Sequence, residues 1–324
     1  MSVVSCKLKV DKLMKVAFIV KPPLKEEYQR EFLAFEREFK GEIKEEFTEK
    51  EGPNNAKNLA KKAVEESFER VVVVGGDGLL NETINGIAEA TGGKIPQDFT
   101  LGIIPTGSGN NFAKALGIPK DIKKAFEIIK KERTTLADIG RVYPVAENSC
   151  CGTNKRYFIN CFSVGFDALV NKKANDLKER HSFLPKDLSY LLAAIKEIII
   201  NIPNFEVRIE GDGISYKQKI ILVAITNGPT YGAIFKVNPG ASVNDGKFNL
   251  CLIESVGKLR AFYDIYRVIR GTHVGLPEFK FFKISSLTIS SPKPLPYEMD
   301  GEVLEPKEEF KIEVLPKALN ILTP

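Results

Sequence analysis

The chain has 324 residues, of which 43% are hydrophobic and 27% charged, and this composition is ordinary for a globular protein. The length predicts two domains of roughly 150 residues each. The formal net charge of +5 is only mildly basic, which argues against a nucleic-acid-binding protein and is compatible with an anionic membrane surface.

Cysteine usage and hydropathy point to a cytoplasmic protein. The five cysteines form no CxxC spacing, and their odd number argues against a disulfide framework or a zinc site. Residues 1–10 do not resemble a signal peptide. The most apolar segment, residues 190–202, contains Lys196 and Glu197 and is shorter than the roughly 20 residues that span a bilayer. If the substrate is a lipid, we expect peripheral binding at the inner face of the membrane.

The first half of the chain alternates predicted strands and helices. Residues 16–20 form a continuous apolar run, typical of a parallel strand covered on both faces, and aromatic residues recur at helical spacing over 26–40. Further strands are predicted at 42–47, 70–74 and 101–104, and further helices at 56–68, 79–89 and from about 112. This alternation predicts a doubly wound, mostly parallel sheet in an α/β domain over residues 1–140.

The second half of the chain changes character after residue 138. Segments rich in β-branched and aromatic residues predict strands at 157–164, 205–210, 217–226, 247–253, 279–289 and 310–314. We expect one strong helix among them, at residues 186–200. The pattern predicts a mainly antiparallel β-sandwich domain over residues 141–302, and we expect residues 303–324 to return to the first domain.

A glycine-rich segment, Gly75-Gly76-Asp77-Gly78, lies between the strand at 70–74 and the helix that follows it. Glycines let the backbone approach a phosphate closely, and the N–H groups of a helix start face the anion. Asp77 would lie beside the triphosphate, where a Mg²⁺ ion between the two would offset their repulsion. A tight strand-to-helix turn without a ligand is the alternative, and this segment alone favours the phosphate loop only slightly.

A second glycine-rich loop follows the next buried strand and precedes another helix. Its sequence is Pro105-Thr106-Gly107-Ser108-Gly109-Asn110-Asn111. Loops that follow neighbouring parallel strands open on the same sheet edge, where α/β proteins bind ligands, so the two loops should form a two-sided cradle. The Walker A and GxGxxG patterns are absent from the sequence, which disfavours P-loop and classical dinucleotide sites.

Longer motifs around both loops resemble those of the diacylglycerol kinase catalytic-domain family. The resemblance rests first on GGDGLLNETING and GIIPTGSGNNFAKALGIP. It continues in the same order through FINCFSVGFDA, SYLLAAIKEI, ITNGPTYGAIFKVNPGASVNDGKFNLCLIE and MDGE, and so spans nearly the whole chain. The family includes bacterial lipid kinases, sphingosine kinases and ceramide kinases. NAD kinase, a more distant relative, shares GGDG and a nearby Asn-Glu but not the C-terminal series.

The resemblance implies a set of site residues. It implies nucleotide contacts from Thr48, Gly75, Gly76, Asp77, Gly78, Leu79, Leu80, Asn81, Gly107, Ser108 and Asn110. It implies a magnesium ion bound by the loop of Ser242, Asp245 and Lys247, partly through main-chain oxygens. Glu302 is implied as the base that takes the proton from the lipid hydroxyl, with Asp300 and Asp77 in the same catalytic set. Asp167 would face the acceptor cleft.

Three departures from the family pattern bear on these expectations. The segment Lys21-Pro22-Pro23-Leu24-Lys25 replaces an Asn-Pro-x-Ser-Gly loop and lacks its small residues and backbone donors, which bears on nucleotide affinity or choice. Leu79 replaces a threonine that many relatives have, although sphingosine kinases also show leucine there. Asn111 replaces a usual aspartate. We expect both of these single changes to be tolerated.

Two of the implied motifs have ordinary turn interpretations. Without the family, Asp300-Gly301-Glu302 is better explained as a surface turn between strands, at roughly two to one. Asn244-Asp245-Gly246 is likewise typical of a hairpin turn.

The leading hypothesis is an ATP- and Mg²⁺-dependent lipid kinase that transfers the γ-phosphate to a lipid hydroxyl at the membrane surface. ATP should bind the first domain, and the acceptor should enter the cleft against the β domain. Two alternatives stay open: a kinase of a soluble substrate, resembling NAD kinase, and a nucleotide-binding regulator without catalysis. The sequence identifies neither the acceptor nor the oligomeric state, and a homodimer is compatible with it.

Overall fold

The fold is known from a computed structural model, which describes residues 14–48, 55–145, 155–180, 186–200, 202–230 and 234–324. Strands and helices alternate in its first half, and strands dominate its second half. Both halves agree with the predicted class, an α/β domain followed by a mainly antiparallel β domain.

Four parallel strands form the sheet of the first half. They are β1 (Met14–Val20), β2 (Gly41–Phe47), β3 (Arg70–Gly75) and β4 (Thr100–Pro105). They pair in the order β4-β3-β1-β2. Every residue of β3 is buried, because helices cover both faces of the sheet, and this explains the uninterrupted apolar run in the sequence.

The helices of the first half pack in two layers. They are α1 (Glu26–Glu38), α2 (Asn55–Glu65), α3 (Asp77–Ala90), α4 (Asn111–Ala115) and α5 (Ile122–Lys131). The aromatic stripe of α1 lies on the sheet as its spacing predicts, with the rings of Phe32 and Phe18 5.0 Å apart. Phe126 of α5 joins this cluster, while α2 packs with α3.

The strands of the second half pair antiparallel with one another. They are β5 (Thr134–Val145), β6 (Arg156–Phe158), β7 (Cys161–Gly165), β8 (Phe205–Gly211), β9 (Ile214–Thr226), β10 (Phe248–Glu254), β11 (Phe279–Ile284), β12 (Ser286–Met299) and β13 (Glu302–Leu322). Two predicted strands are in fact split, because residues 159–160 separate β6 from β7 and Ser285 separates β11 from β12.

The last strand links the two halves of the molecule. β13 pairs antiparallel with β12 and β5, and near its end Asn320 lies opposite Thr100 in a parallel pairing with β4. The prediction that the C-terminal segment returns to the first domain is therefore confirmed. The strands form one continuous hydrogen-bonded path from β11 to β2.

The second half contains three described helices, so the prediction of a single strong helix there was wrong. They are α6 (Phe166–Arg180), α7 (Lys186–Ile200) and α8 (Lys258–Arg270). α8 was missed because it buries Ala261, Asp264 and Val268 while several of its large apolar side chains face solvent. No helix within the described ranges has the length and apolarity needed to span a bilayer.

Candidate active site

A cleft of about 1710 Å³ opens between the two halves of the molecule. The residues that follow β1, β3 and β4 form one side, at the carboxyl edge of the parallel sheet. Residues 296–307, which include the turn between β12 and β13, line the other side. The two glycine-rich loops meet at this edge, as their positions after neighbouring parallel strands predict.

The two loops approach each other too closely for side chains at their point of contact. A Cβ atom on Gly107 would lie 2.5 Å from the Cα atom of Gly76, and a Cβ atom on Gly76 would lie 3.2 Å from the Cα atom of Gly107. Both glycines are therefore required for space. The Thr106 backbone N–H donates to the Gly75 carbonyl at 3.1 Å and ties the loops together.

Asp77 connects the first loop to the second. It is the first residue of α3, and its Oδ2 accepts from the Asn111 backbone N–H at 2.9 Å. Its Oδ1 accepts from the Phe112 backbone N–H at 3.2 Å. These are N–H groups of the first turn of α4, which have no partner inside the helix. Asp77 therefore orders the second loop, in addition to any contact with a ligand.

Two buried oxygens of the second loop lack a donor. The Oδ1 atoms of Asn110 and Asn111 have no hydrogen-bond partner among the described residues. Buried acceptors of this kind are stabilised by a bound donor or cation. The Asn111 side chain lies against the Asp77 carboxylate, at 3.4 Å. Carboxylate and amide oxygens are ligands that Mg²⁺ prefers, so this corner of the cleft fits a phosphate group that carries a magnesium ion.

Basic side chains also line the cleft. Lys21 lies directly after β1, where its backbone N–H donates to the Val74 carbonyl at 3.1 Å. Lys57 at the start of α2 is ion-paired with Glu89 at 2.7 Å and lines the same space. The unusual segment at residues 21–25 thus contributes a lysine to the nucleotide side of the cleft, next to Pro22 and Pro23.

Asp300 is held in the turn opposite the glycine loops. Its carboxylate accepts hydrogen bonds from three consecutive backbone N–H groups, those of Ile159 at 2.8 Å, Asn160 at 2.9 Å and Cys161 at 2.8 Å. It also accepts one from the side-chain amide of Asn81, at 2.6 Å. Burial raises the pKa of Asp300 to about 6, while these donors act in the opposite direction. The carboxylate links α3 to the β12–β13 turn.

Glu302 follows this turn as the first residue of β13. Asp300 and Gly301 both have positive φ, of 48° and 88°, which is the conformation of a two-residue hairpin turn. The turn interpretation of the sequence is therefore correct, and the turn also lines the cleft. The Glu302 side chain is 54% exposed and forms an ion pair of 2.7 Å with Arg156. A carboxylate in this position is accessible to a bound substrate.

Family models match both halves of the chain. The model described as the diacylglycerol kinase catalytic domain matches residues 18–142, and the one described as the YegS C-terminal NAD kinase beta sandwich-like domain matches residues 160–323. A diacylglycerol kinase of Staphylococcus carnosus is 30% identical over 243 residues, which cover 75% of this chain and 73% of that protein. The chain belongs to the diacylglycerol kinase family. It is therefore a kinase, and kinases of this family use ATP.

Other relatives agree with this assignment. A diacylglycerol kinase of Bacillus subtilis is 29% identical over 249 residues, which cover 76% of each chain. The crystal structure of a diacylglycerol kinase from Bacillus anthracis strain Sterne superposes with a TM-score of 0.73 at 23% identity, covering 97% of this kinase and 98% of that chain. The second likeness concerns the fold alone.

A buried network of carboxyl groups lies beneath the acceptor side of this kinase. Asp167 and Glu298 are 4% and 2% exposed, and the Ser163 hydroxyl donates to Asp167 at 2.7 Å. Asn171 donates to Glu298 and, at 3.0 Å, to the Gly301 carbonyl. Burial and the nearby Asp167 carboxyl raise the pKa of Glu298 well above its usual range. The network fixes the turn that carries Glu302.

Glu298 and Asn171 were not predicted from the sequence. The signal that could have found Glu298 is a single acidic residue inside an otherwise apolar strand end, Leu295–Met299. A carboxylate on such a strand needs a buried partner, and the sequence does not show which residue supplies it.

The predicted magnesium loop lies away from the cleft. The Asp245 carboxylate is 2.7 Å from the Lys283 ammonium and accepts the Lys247 backbone N–H at 3.1 Å. The Ser242 hydroxyl donates to Asn244 at 2.9 Å. No group of three or more His, Cys, Asp or Glu residues suited to a metal occurs in the described part of the chain. A magnesium ion at this loop stays a prediction, and it would have to compete with Lys283.

The other predicted residues divide into two groups. Those that line the cleft are Gly75, Gly76, Asp77, Gly78, Leu79, Asn81, Gly107, Ser108, Asp300 and Glu302. Leu80 and Asn110 are buried behind the loops, and Thr48 bonds the Val20 carbonyl through its N–H and its hydroxyl, at 2.8 and 3.3 Å. Asp167 lines a separate apolar cavity of about 90 Å³, which shares Tyr190 with the cleft.

Proposed function

We propose that this protein transfers the γ-phosphate of ATP, as its magnesium complex, to the hydroxyl of a lipid of the diacylglycerol type. One observation carries the proposal: a two-sided glycine cradle and the half-exposed carboxylate of Glu302 line the same cleft from opposite domains. The curated relatives that match most of the chain bear the name diacylglycerol kinase. On the basis of these names we propose that the lipid alcohol is a diacylglycerol.

The nucleotide is proposed to bind with its phosphates between the two loops. The N–H groups at the start of α3 and the close Gly76–Gly107 contact suit a polyphosphate, and Lys21 and Lys57 supply positive charge. A bound magnesium ion would neutralise charge on the transferred phosphoryl group. Asp77 and Asn111 offer oxygen ligands for it, and Asp77 keeps the second loop in place.

The acceptor hydroxyl is proposed to lie between the γ-phosphate and Glu302. Glu302 takes the hydroxyl proton as the oxygen forms a bond to the γ-phosphorus, and the bond from that phosphorus to the β–γ bridging oxygen breaks and releases ADP. The Arg156 ion pair holds the carboxylate in position. Asp300 has four donors on its carboxylate, so we assign it the positioning of this turn rather than proton transfer. The apolar cavity next to Tyr190 lies on the acceptor side.

A long-chain diacylglycerol resides in the bilayer, so the proposed phosphoryl transfer takes place at a membrane surface. We therefore propose that the protein is cytoplasmic and binds the membrane peripherally.

The test is an assay of the purified protein with Mg-ATP and a panel of lipid alcohols in mixed micelles, with NAD in buffer as a separate acceptor. The proposal expects a phosphorylated lipid and no phosphorylated NAD. Phosphorylation of NAD alone would support a kinase of a soluble substrate. ATP binding by calorimetry without turnover on any acceptor would instead indicate a regulator without catalysis.

A further inference from the structure

Helix α8 presents apolar and aromatic side chains to solvent. Leu259 is 89% exposed, Tyr266 54%, Tyr263 45% and Phe262 37%. Their spacing of three and four residues places them on one side of the helix, opposite the packed side of Ala261, Asp264 and Val268. The apolar stripe of an amphipathic helix normally faces the core, so this arrangement requires an explanation.

The end of α7 extends this surface. The Lys258 ammonium donates to the carbonyl groups of Ile199 and Ile200, at 2.6 and 3.2 Å, and so joins the end of α7 to the start of α8. Both isoleucine side chains are 59% exposed. We call the combined surface the α7–α8 face and define it by Ile199, Ile200, Leu259, Phe262, Tyr263 and Tyr266.

Arginine side chains border the aromatic part of the α7–α8 face. The guanidinium groups of Arg260 and Arg267 lie 5.1 and 5.6 Å from the ring centre of Tyr263. Arg270 lies 5.4 Å from the ring centre of Tyr266. This pairing of apolar side chains with a basic border is the composition of a helix that lies in the interfacial region of an anionic bilayer.

The acidic residues of this region are paired with bases. Arg260 is ion-paired with Asp264 and with Glu278, which are 5% and 7% exposed. Glu254 lies 4.0 Å from Lys280. Arg260 offsets only one of its two carboxylates, but Lys258, Arg267 and Arg270 add three positive charges beside the α7–α8 face. The net charge is therefore positive, which complements anionic lipid headgroups.

The helices that carry the α7–α8 face also line a small apolar cavity beside the cleft. The inner side of α8 lines the small apolar cavity, through Ala261, Asp264 and Val268. Tyr190 of α7 lines both this cavity and the cleft. The same helices therefore carry the exposed apolar surface on one side and line the small cavity beside Tyr190 on the other.

We propose that the α7–α8 face docks the protein on an anionic phospholipid bilayer. Leu259, Phe262 and the isoleucines enter the headgroup region, the tyrosine rings lie at its boundary, and the arginines contact lipid phosphates. This inference rests on the proposed function in one respect, since a lipid acceptor gives the docking its purpose.

The experiment compares the wild type with the triple variant Leu259→Ser, Phe262→Ser, Tyr266→Ser. The matched control is Leu33→Ser, which removes a leucine that is 50% exposed on α1. Sedimentation with phosphatidylcholine vesicles, with and without phosphatidylglycerol, measures binding, and thermal melting checks that each variant is folded. A short-chain diacylglycerol below its micelle concentration and long-chain diacylglycerol in the same vesicles serve as two acceptors.

If the α7–α8 face docks on the bilayer, the wild type and Leu33→Ser should both bind anionic vesicles, and both should bind neutral vesicles more weakly. The triple variant should bind anionic vesicles at least about 10-fold more weakly, because it lacks three of the apolar side chains that define the face. Its activity on long-chain diacylglycerol in vesicles should fall in parallel. Its activity on the dissolved short-chain acceptor should stay within about twofold, because the cleft is intact.

Three results separate the possible failures. Vesicle binding by the folded triple variant at the wild-type level overturns the docking proposal. A wild type that is dimeric, with a monomeric triple variant and unchanged vesicle binding, also overturns it and assigns the face to a second copy of the chain. Vesicle binding that depends on the face, without phosphorylation of either acceptor, supports docking and contradicts the proposed function instead.

Discussion

The two sides of the cleft are built by different means. At the centre of the nucleotide side two backbone loops meet at glycines, and one carboxylate caps a short helix. At the centre of the acceptor side are carboxyl side chains that are held by groups from distant parts of the chain, such as Asn81 for Asp300. The comparison indicates that a phosphate site requires space and N–H groups, whereas proton transfer requires a carboxylate at a defined position.

The largest effect should come from Glu302 on the acceptor side. Glu302→Gln removes the proposed base, so kcat should fall by about 10²–10⁴-fold while ATP binding is retained. Steady-state kinetics and ATP calorimetry measure the two quantities. Glu305→Gln is the matched control, because Glu305 lines the same cleft after the turn. Full turnover by Glu302→Gln would assign the base to another residue.

The next effect concerns the nucleotide side. Asp77→Ala leaves two N–H groups of α4 without their acceptor, so the second loop is no longer held in place. The lost charged hydrogen bonds are worth about 3 kcal/mol, and if all of this is lost from the transition state, kcat/KM for ATP should fall by about 100-fold. Asp121 caps α5 in the same manner, by accepting the Lys124 N–H at 2.8 Å, but lies outside the cleft. Asp121→Ala should therefore cost about 1 kcal/mol of stability and leave the ATP kinetics unchanged. Equal kinetic effects in both variants would contradict a local role for Asp77.

A smaller effect should appear in the pH dependence of stability. The pKa of Glu298 is raised in the folded protein, mainly by burial and also by Asp167 and Asp300, so the native state holds a proton that the unfolded state loses above about pH 4.3. The contribution of the protonated Glu298 to the free energy of unfolding is therefore present at low pH and is lost as the pH rises toward the pKa of Glu298 in the folded protein. Glu298→Gln cannot ionise, so its stability relative to the wild type should rise between pH 5 and pH 8, by up to about 1.4 kcal/mol per pH unit.

Urea unfolding at both pH values measures this difference. Glu308→Gln, at an exposed position on β13, is the control and should show the same offset from the wild type at both pH values. If Glu298→Gln behaves like this control, the buried carboxyl pair does not hold a proton.

The smallest effect should follow from Lys283. Lys283→Met removes an ion pair between partly exposed groups, which contributes about 0–1 kcal/mol. If the loop of Ser242, Asp245 and Lys247 takes up magnesium, the ion should raise the melting temperature of Lys283→Met more than that of the wild type. An identical response of both proteins to MgCl₂ would argue against a magnesium ion at this loop.

The sequence predicted the nucleotide side better than the acceptor side for a physical reason. Gly76 and Gly107 are required wherever two backbones meet, so the requirement is visible in the residue type. The role of Asp300 depends on donors from Asn81 and from the segment around Asn160, about 140 or more positions away, and no local pattern encodes that contact. Glu298 and Asn171 were missed for the same reason.

The fold shows the same division. The strands and helices of the first half follow their periodicity because their apolar residues face the core. α8 was missed because Leu259 and Tyr266 face solvent while Asp264 is buried in an ion pair with Arg260. A helix whose apolar side is outward contradicts the rule from which helices are predicted, and a docking surface is one cause of such an exception.

The most direct test is transfer of labelled γ-phosphate by the wild type to a total lipid extract, with the product identified by mass. We expect the wild type to label one class of lipid, a lipid alcohol whose mass has increased by one phosphate, and Glu302→Gln to label none. If the folded wild type consumes ATP but labels no lipid, the proposal that the cleft brings ATP together with a lipid hydroxyl is contradicted.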